Sequence, residues 1–196
     1  MREAVLTRKT KETDIEIKIN LDKNSECVIE TGIGFLNHML ELFAFHSGIS
    51  LCVKCKGDLY VDGHHSVEDI GILLGKALNK ALGDKKGINR YGDTFLPMDE
   101  TLAHCSLDIS GRTFLVFNVE LPSQKVGEFE TELTEEFFRA VAFNSGITLH
   151  LNLEYGKNTH HIIEALFKSF GKSLKKAIEI DKNNENKIMS SKGVIE

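Results

Sequence analysis

Residues 64–82 read HHSVEDIGILLGKALNKAL, and residues 160–178 read HHIIEALFKSFGKSLKKAI. A second pair of segments matches in the same way, AFHSGISLCVK at 44–54 and AFNSGITLHLN at 142–152. The two matches are offset by 96 and 98 residues respectively, so a length difference of two residues separates them. Two matches in almost the same register indicate an internal duplication, in which each copy is one supersecondary unit.

Hydrophobic periodicity predicts secondary structure in both copies. Apolar residues that alternate with polar ones are typical of antiparallel strands with one exposed face. Apolar residues at spacings of three and four predict amphipathic helices. The predicted strands lie at 15–21, 115–121 and 147–153, and the predicted helices at 35–47, 67–82, 134–145 and 163–178.

These elements predict an α+β fold built as an internal duplication of two similar halves, each a sheet with two helices. We place the halves at 1–92 and 93–182 and expect them to pack as a pseudo-twofold pair in one structural unit. Residues 183–196 are polar and lysine-rich, and we predict that they form a mobile C-terminal tail.

Composition excludes several classes of protein. The 196 residues carry 29 acidic and 24 basic side chains, a net charge of −5, without a long basic block. Nucleic-acid binding needs clustered lysine and arginine, so we expect no nucleic-acid partner. No apolar run approaches the ~20 residues that cross a bilayer, and the N-terminus lacks the apolar stretch of a signal peptide. We therefore expect no membrane association and a cytoplasmic location.

The four cysteines are Cys27, Cys52, Cys55 and Cys105. Cys52 and Cys55 form a C-x-x-C, which occurs in zinc and redox sites. Positions three apart in a strand point to opposite faces, however, which disfavours joint action by this pair. We predict that all four are reduced, structural thiols.

The duplicated motif His-His-x-x-Glu supplies candidate metal ligands. Each copy has one more ligand-type residue ten positions before the glycine of its Ser-Gly dipeptide. The first half thus offers His38, His64, His65 and Glu68, and the second offers Glu136, His160, His161 and Glu164. A lone pair of histidines carries little information, whereas two such motifs at matching repeat positions predict metal binding.

Helix geometry predicts how these side chains share the metals. Residues four apart lie on one helix face, whereas adjacent residues diverge by ~100°. Each histidine pair should therefore serve two different ions. One predicted site holds His64, Glu68, His161 and Glu136, and the other holds His160, Glu164, His65 and His38. Imidazole and carboxylate ligands without thiolate suit Mn, Fe or Zn, and fewer than six protein ligands leave positions for substrate.

Other polar residues keep two interpretations at this point. His46 has Asn144 as its repeat counterpart, so it is either a substrate-contacting residue or an exposed helix residue. Arg90 and Arg112 lie beside turns, where they either clamp a phosphate or serve solubility. His104 and His150 lie in strand positions and are predicted to be structural.

Six segments together resemble one known family over almost the whole chain. They are GIGFLNHML at 32–40, DGHHSVEDIGILLG at 62–75, RYG at 90–92, PMDE at 97–100, DISGR at 108–112 and GKNTHHIIEALFK at 156–168. This combination resembles the imidazoleglycerol-phosphate dehydratase family. Because no phosphatase domain accompanies it, the resemblance implies the monofunctional form.

The resemblance implies a fold, a reaction and an assembly. The fold would be of the ribosomal protein S5 domain 2-like type. The enzyme would convert D-erythro-imidazole glycerol phosphate to imidazole acetol phosphate and water in L-histidine biosynthesis. Two Mn²⁺ ions per active site would be bound by the crosswise ligand sets, and the reaction would pass through an imidazolate/diazafulvene-type intermediate. The active sites would lie between the subunits of a 24-subunit homo-oligomer.

The resemblance also implies roles for single residues. Glu12 would be the proton acceptor, and His46 a second catalytic residue. The phosphate would be held by Arg90, Arg112, Lys168, Ser190, Ser191 and Lys192. Substrate contacts would also come from Glu12, His38, His46, His64, Glu68 and His160. The chain departs from the family pattern at Asn37, Thr113 and Met189, and many members carry His where this chain has Glu136.

Two other functions would explain part of the pattern. A binuclear phosphoester hydrolase would release inorganic phosphate, but such enzymes usually have Asp-rich bridging ligands, which are missing here. A metal-dependent structural assembly would oligomerise on metal binding without turnover. It would have no use for the arginines and lysine expected to bind phosphate.

Overall fold

The first half forms one four-stranded sheet and two helices in a computed structural model that describes residues 1–25 and 27–195. The strands are β1 (Glu3–Lys9), β2 (Thr13–Asn20), β3 (Ile29–Glu30) and β4 (Ser50–Gly57), in the order β1-β2-β4-β3. The helices are α1 (Gly34–Ser47), between β3 and β4, and α2 (His64–Leu82), which follows β4.

The second half repeats this arrangement. Its sheet has the order β5-β6-β10-β7, with β5 (Tyr91–Met98), β6 (Thr101–Asp108), β7 (Phe114–Asn118) and β10 (Thr148–Tyr155). Its helices are α3 (Leu133–Ser145) and α4 (Thr159–Ile178), and a small hairpin of β8 (Lys125–Val126) and β9 (Phe129–Glu130) precedes α3. The predicted α+β fold of two similar halves is therefore confirmed.

Strand direction differs from the prediction at one edge of each sheet. The strands β3 and β7 run parallel to β4 and β10, whereas the remaining neighbours in both sheets are antiparallel. The expectation of antiparallel strands throughout was wrong at these edges. A helix, α1 or α3, lies between the two strands of each parallel pair, and such a crossover returns the chain in the same direction. The strand predicted at 115–121 also ends earlier, at Asn118.

The helices of the two halves exchange partners. Helix α2 packs on β1 and β2 and also against α3 of the other half, while α4 packs on β5 and β6 and against α1. The buried faces are the apolar stripes of the sequence, with Ile70 and Leu74 on α2 and Phe167 and Phe170 on α4. This exchange brings the start of α4 close to α1, and the start of α2 close to α3.

Glycines allow the exchanged helices to approach closely. Gly75 on α2 and Gly171 on α4 occupy the same repeat position, 96 residues apart. A Cβ atom at Gly75 would lie 2.7 Å from the carbonyl oxygen of Val141, and one at Gly171 would lie 2.9 Å from that of Phe43. Contacts under 3 Å with backbone atoms leave no space for a side chain, so each helix crossing depends on its glycine.

The prediction of four reduced thiols was wrong for one pair. A disulfide joins Cys27 to Cys52, with Cα atoms 5.0 Å apart, whereas Cys55 and Cys105 are free. Sequence spacing drew attention to the pair Cys52 and Cys55. The parallel pairing of β3 with β4 instead brings the segment before β3 beside Cys52.

A short segment at 83–90 connects the two halves, because α2 ends at Leu82 and β5 begins at Tyr91. The boundary at 92 stays a prediction. The tail contacts this connection, because Gly87 donates a hydrogen bond to the carbonyl of Lys187 and Arg90 donates one to that of Met189. Mobility of residues 183–196 stays a prediction. Among the described residues, none of the helices combines the length and apolar character that a bilayer crossing requires.

Candidate metal centre and phosphate pocket

Both His-His-x-x-Glu motifs lie in the first turn of a helix. His64 and His65 begin α2, and the backbone N–H of His64 donates to Asp62. Asn158 caps α4, because its side-chain oxygen accepts from the backbone N–H groups of His160 and His161. The helical start of each motif makes its adjacent histidines point apart, as the sequence predicted.

One cluster of candidate ligands forms where α1 meets α4. His38, His160 and Glu164 each bring a ligand atom to within 4.8 Å of the others. The Oε2 atom of Glu164 lies 3.2 Å from Nε2 of His160 and 3.5 Å from Nε2 of His38. His38 comes from the first half and the other two from the second. The exchange of helix partners therefore creates this cluster.

Glu164 is held in its charged form. Its carboxylate is 8 % exposed and contacts the ammonium group of Lys168. Burial raises the pKa of Glu164, but the hydrogen bond and charge of Lys168, with smaller effects of His160 and His38, lower it overall. An anionic carboxylate beside two imidazoles is a donor set that suits a divalent transition metal.

The second group lies where α2 meets α3. His64 and Glu136 line one cavity of about 430 Å³, together with Glu132 and Glu135. Glu68 is half-buried and does not line this cavity. Arg139 approaches the carboxylate of Glu136 at 3.6 Å. The structure thus brings together residues 64 and 136, again from different halves.

The remaining two histidines lie outside both groups and pair with carboxylates. Nδ1 of His65 lies 3.0 Å from Oδ2 of Asp58, and Nδ1 of His161 lies 2.8 Å from Oε2 of Glu100. These hydrogen bonds are the main reason that the pKa of each histidine is raised. The hydrogen bond from His161 lowers the pKa of Glu100 to about 2, with help from the backbone N–H of Asn158.

Two histidines, His65 and His161, were predicted as the fourth ligands of the two sites. Within one chain, neither of them belongs to the cluster of His38, His160 and Glu164. His65 was expected beside His38, but it belongs with Asp58 at a distance from that cluster. The second nitrogen of each paired histidine also points away from its carboxylate partner. Nε2 of His65 lies 3.9 Å from Glu12, and Nε2 of His161 lies 3.7 Å from Asp99, both beyond hydrogen-bond distance.

The two candidate catalytic residues occupy different surroundings. Glu12 lies in the turn between β1 and β2, and its side chain is 53 % exposed. His46 lies in the last turn of α1, and its buried Nδ1 has no hydrogen-bond partner among the described residues. Burial lowers the pKa of His46, and the charges of Lys172 and Lys168 lower it further.

A basic cavity of about 380 Å³ lies on the second half. Five of the six residues expected to bind phosphate line it, namely Arg90, Arg112, Ser190, Ser191 and Lys192, and Ser110 joins them. The guanidinium of Arg90 makes a two-point contact with Asp108, which raises the pKa of Arg90. Lys168 is the exception, because it contacts Glu164 and Met98 instead.

Several polar side chains make contacts that the sequence did not predict. Asn37 uses its side-chain oxygen to accept from the backbone N–H and the hydroxyl of Thr31, before α1. The ring of His104 stacks on Phe95 with centroids 4.1 Å apart on a sheet surface. The pairing of Asp58 and Glu100 with histidines was not predicted. One sequence feature could have drawn attention to Glu100: like Glu12, it precedes a threonine at the start of a strand.

The family model described as imidazoleglycerol-phosphate dehydratase matches residues 31–174. Curated relatives of that name include the protein of Listeria welshimeri, 60 % identical, and that of Streptococcus sanguinis, 57 % identical, each covering 100 % of both chains.

Solved structures of imidazoleglycerol-phosphate dehydratases have the same fold. The Staphylococcus aureus structure is 49 % identical with a TM-score of 0.84, over 91 % of this chain and 99 % of that one. The Pyrococcus furiosus structure is 35 % identical with a TM-score of 0.83, over 96 % and 99 %. The chain therefore belongs to the imidazoleglycerol-phosphate dehydratase family, the hydro-lyases of that name that act in histidine biosynthesis.

Proposed function

We propose that the chain converts D-erythro-imidazole glycerol phosphate to imidazole acetol phosphate and water, using two Mn²⁺ ions per active site. The observation that carries this proposal is the convergence of His38, His160 and Glu164 from both halves of the duplication. The similarity to enzymes named for this dehydration supports the substrate.

The residues present fit a divalent metal. The cluster offers two imidazole nitrogens and one anionic carboxylate, without a thiolate, and this set suits Mn²⁺ or Fe²⁺. His160, Glu164 and His38 would hold one ion, completed by His65. His64, Glu68 and Glu136 would hold the other, completed by His161. Within one chain, His65 and His161 stand apart from these groups, which supports their donation by a neighbouring subunit.

This separation supports a homo-oligomer with active sites between subunits. We propose the 24-subunit assembly that the family resemblance implies, located in the cytoplasm. Exposed aromatic side chains such as Phe45, Phe114 and Tyr60 provide apolar surface for such contacts.

The ions that His38, His160 and Glu164, and His64, Glu68 and Glu136, would hold would supply positive charge to stabilise an imidazole ring in its anionic form. Electron density from the ring then expels the hydroxyl on the adjacent carbon, giving a diazafulvene-type form of the substrate. Glu12 accepts the proton from the next carbon, and the resulting enol becomes the ketone. The departing hydroxide and the proton that Glu12 takes up together make the water that is released. His46, whose buried Nδ1 lacks a partner among the described residues, contacts the substrate as a neutral imidazole, because burial lowers its pKa.

The basic cavity holds the phosphate end of the substrate. Arg90 and Arg112 offer planar guanidinium groups, and Ser190, Ser191 and Lys192 bring further donors from the C-terminal segment. The contact with Asp108 holds the Arg90 side chain in one orientation. Lys168 would reach the same phosphate only after its side chain moved, because its ammonium group here contacts the carboxylate of Glu164.

A product assay tests the proposal. Purified protein is stripped of metal, divided, and assayed with imidazole glycerol phosphate with and without added Mn²⁺. We expect the enolised ketone only in the restored sample. Release of inorganic phosphate would favour a hydrolase, and metal-dependent assembly without product would favour a structural role. Either outcome would overturn the proposed reaction.

Glu12→Gln tests the proton acceptor. A glutamine keeps the size of the side chain but cannot accept the proton, so turnover should fall by about 10²- to 10⁴-fold. Mn²⁺ content should remain that of the wild type. Glu16→Gln, on the outer face of β2, is the matched control and should keep full activity. Unchanged turnover in Glu12→Gln would remove Glu12 from the mechanism.

A further inference from the structure

The two halves use different residues to contact the second histidine of each motif. In the first half the partner of His65 is Asp58, and in the second half the partner of His161 is Glu100. The two histidines are repeat counterparts, 96 residues apart. Their carboxylate partners are not counterparts, as the sheet register demonstrates.

The register aligns Glu100 with Glu12. In the first sheet Asn20 pairs with Ser50 and Thr13 with Gly57, while in the second sheet Asp108 pairs with Thr148. Strands β2 and β6 therefore correspond with an offset of 88 residues, which places Thr13 with Thr101. Both threonines are buried, at 3 % and 1 % exposure, and each follows a glutamate. Glu12 and Glu100 thus occupy one position of the duplicated fold.

The same comparison aligns Asp58 with Lys157. Asp58 follows Gly57, the last residue of β4, and Lys157 follows Gly156, the residue after β10. Each of these glycines lies close to the threonine just aligned, Thr13 or Thr101. The backbone N–H of Asp58 donates to the carbonyl of Glu12, and that of Lys157 donates to the carboxylate of Glu100. Because the second half has Lys157 at this position, the carboxylate that contacts His161 comes from a different position, Glu100.

The contacts with carboxylates determine which ring nitrogen of each histidine carries the proton. A carboxylate only accepts, so Nδ1 of His65 and of His161 must carry the proton in these contacts. A neutral imidazole with its proton on Nδ1 has its lone pair on Nε2, the atom that points away from the carboxylate. Such a hydrogen bond orients the ring and makes the free nitrogen a better ligand.

We propose that Asp58 and Glu100 are positioning residues that present Nε2 of His65 and His161 to the metals of neighbouring active sites. In the first half Asp58 makes the contact with Nδ1 of His65, so the carboxylate of Glu12 stays available to the substrate. In the second half Glu100 makes the contact with Nδ1 of His161. One position of the duplicated fold thus holds a proton acceptor in the first half and a ligand-orienting residue in the second. This inference rests on the proposed metal sites.

Glu100→Gln and Asp58→Asn test the proposal through metal affinity, measured by competition with a chelator for Mn²⁺. In Glu100→Gln the amide oxygen still accepts from the backbone N–H groups of Lys157 and Asn158, which preserves the turn before α4. Its NH₂ group then faces Nδ1 of His161 and places the proton on Nε2, where it blocks the metal. We expect about 10- to 100-fold weaker Mn²⁺ binding in both variants.

Asp99→Asn is the matched control. It removes the same charge from the neighbouring residue, 3.7 Å from Nε2 of His161, without touching Nδ1. Its Mn²⁺ affinity should stay near that of the wild type, and nitrogen chemical shifts should report the altered tautomer of His161 only in Glu100→Gln. Equal losses in Asp99→Asn and Glu100→Gln would indicate a charge effect and overturn the proposal.

The unfolding midpoint of metal-free protein separates positioning from folding. If Glu100→Gln does not fold, Asp58→Asn in the other half decides the question. Wild-type Mn²⁺ affinity in folded variants overturns the positioning role, even if the wild type forms the ketone. Conversely, a wild type that binds Mn²⁺ without forming product overturns the proposed reaction, while weaker binding in the variants still supports positioning.

Discussion

Glu136 stands at the repeat position of His38, but its surroundings differ from those of the histidine. His38 lies beside a buried carboxylate, whereas Glu136 lies beside His64 in a cavity that also contains Glu132 and Glu135. The second group therefore carries more negative charge than the first. A carboxylate at this position binds the same class of metal as an imidazole.

Glu136→Gln should weaken one of the two metal sites, because a neutral amide is a poorer ligand than a carboxylate. We expect Mn²⁺ content to fall from two ions per chain towards one, measured by metal analysis after dialysis. Glu136→His should retain both ions. Glu132→Gln removes a charge from the same cavity and is the control. Two ions in Glu136→Gln would mean that this residue is not a ligand.

The candidate ligands could be identified from the sequence because helical spacing fixes which side chains share a face. His160 and Glu164 were placed in one predicted site on that ground, and the structure brings them together with His38. Asp58 and Glu100 could not be found in this way. Their contacts depend on how the loops after β4 and β5 fold back on the helix starts, and side-chain periodicity carries no information about loops.

At the scale of elements, Gly171 tests the close approach of α1 and α4. In Gly171→Ala the new methyl group would meet the carbonyl of Phe43 at 2.9 Å and separate the helices. We expect a loss of about 1–3 kcal/mol in the free energy of unfolding, measured with urea, and weaker Mn²⁺ binding because His38 moves away from Glu164.

Gly34→Ala at the start of α1 is the control for this substitution. No atom lies within 4 Å of the added carbon at Gly34, so this variant should be as stable as the wild type or slightly more stable. If Gly171→Ala behaved like Gly34→Ala, the helix crossing would not depend on its glycine.

Cys105 in β6 gives a prediction about alkaline pH. Complete burial raises the pKa of its thiol from 9.0 to about 12. Between these values the unfolded chain releases a proton that the folded chain retains, so the free energy of unfolding falls as pH rises. The contribution is at most about 1.4 kcal/mol per pH unit.

Urea unfolding at pH 8 and pH 10.5 measures this effect. The wild type should lose more stability between the two pH values than Cys105→Ala, which has no thiol to titrate. The comparison uses the change with pH rather than the absolute stability, because alanine also leaves a cavity. Equal pH dependence of the two proteins would contradict the assigned shift.

The helices were predicted within a few residues because their apolar stripes are long. The predicted helices at 35–47 and 134–145 correspond to α1 and α3, and α2 and α4 begin a few residues before their predicted starts. Strand direction was not predictable at β3 and β7. Alternation reveals which face of a strand is buried, but it does not reveal whether its neighbour runs parallel or antiparallel.

At the scale of the whole molecule, the exchange of helix partners makes the duplication functional. Helix α1 of the first half packs on α4 of the second, and α3 of the second packs on α2 of the first. Each candidate metal group therefore contains residues from both halves, and neither half alone has a complete group. The repeat was visible in the sequence, but the exchange is a property of packing that the repeat does not specify.

Anomalous diffraction at the manganese edge, from crystals of Mn²⁺-restored protein, tests the central claim most directly. We predict two peaks per chain, one at His38, His160 and Glu164 and the other at His64, Glu68 and Glu136. Each should be completed by His65 or His161 of a neighbouring subunit. A single peak, or one ion bound by both His64 and His65 of the same chain, would contradict the crosswise arrangement.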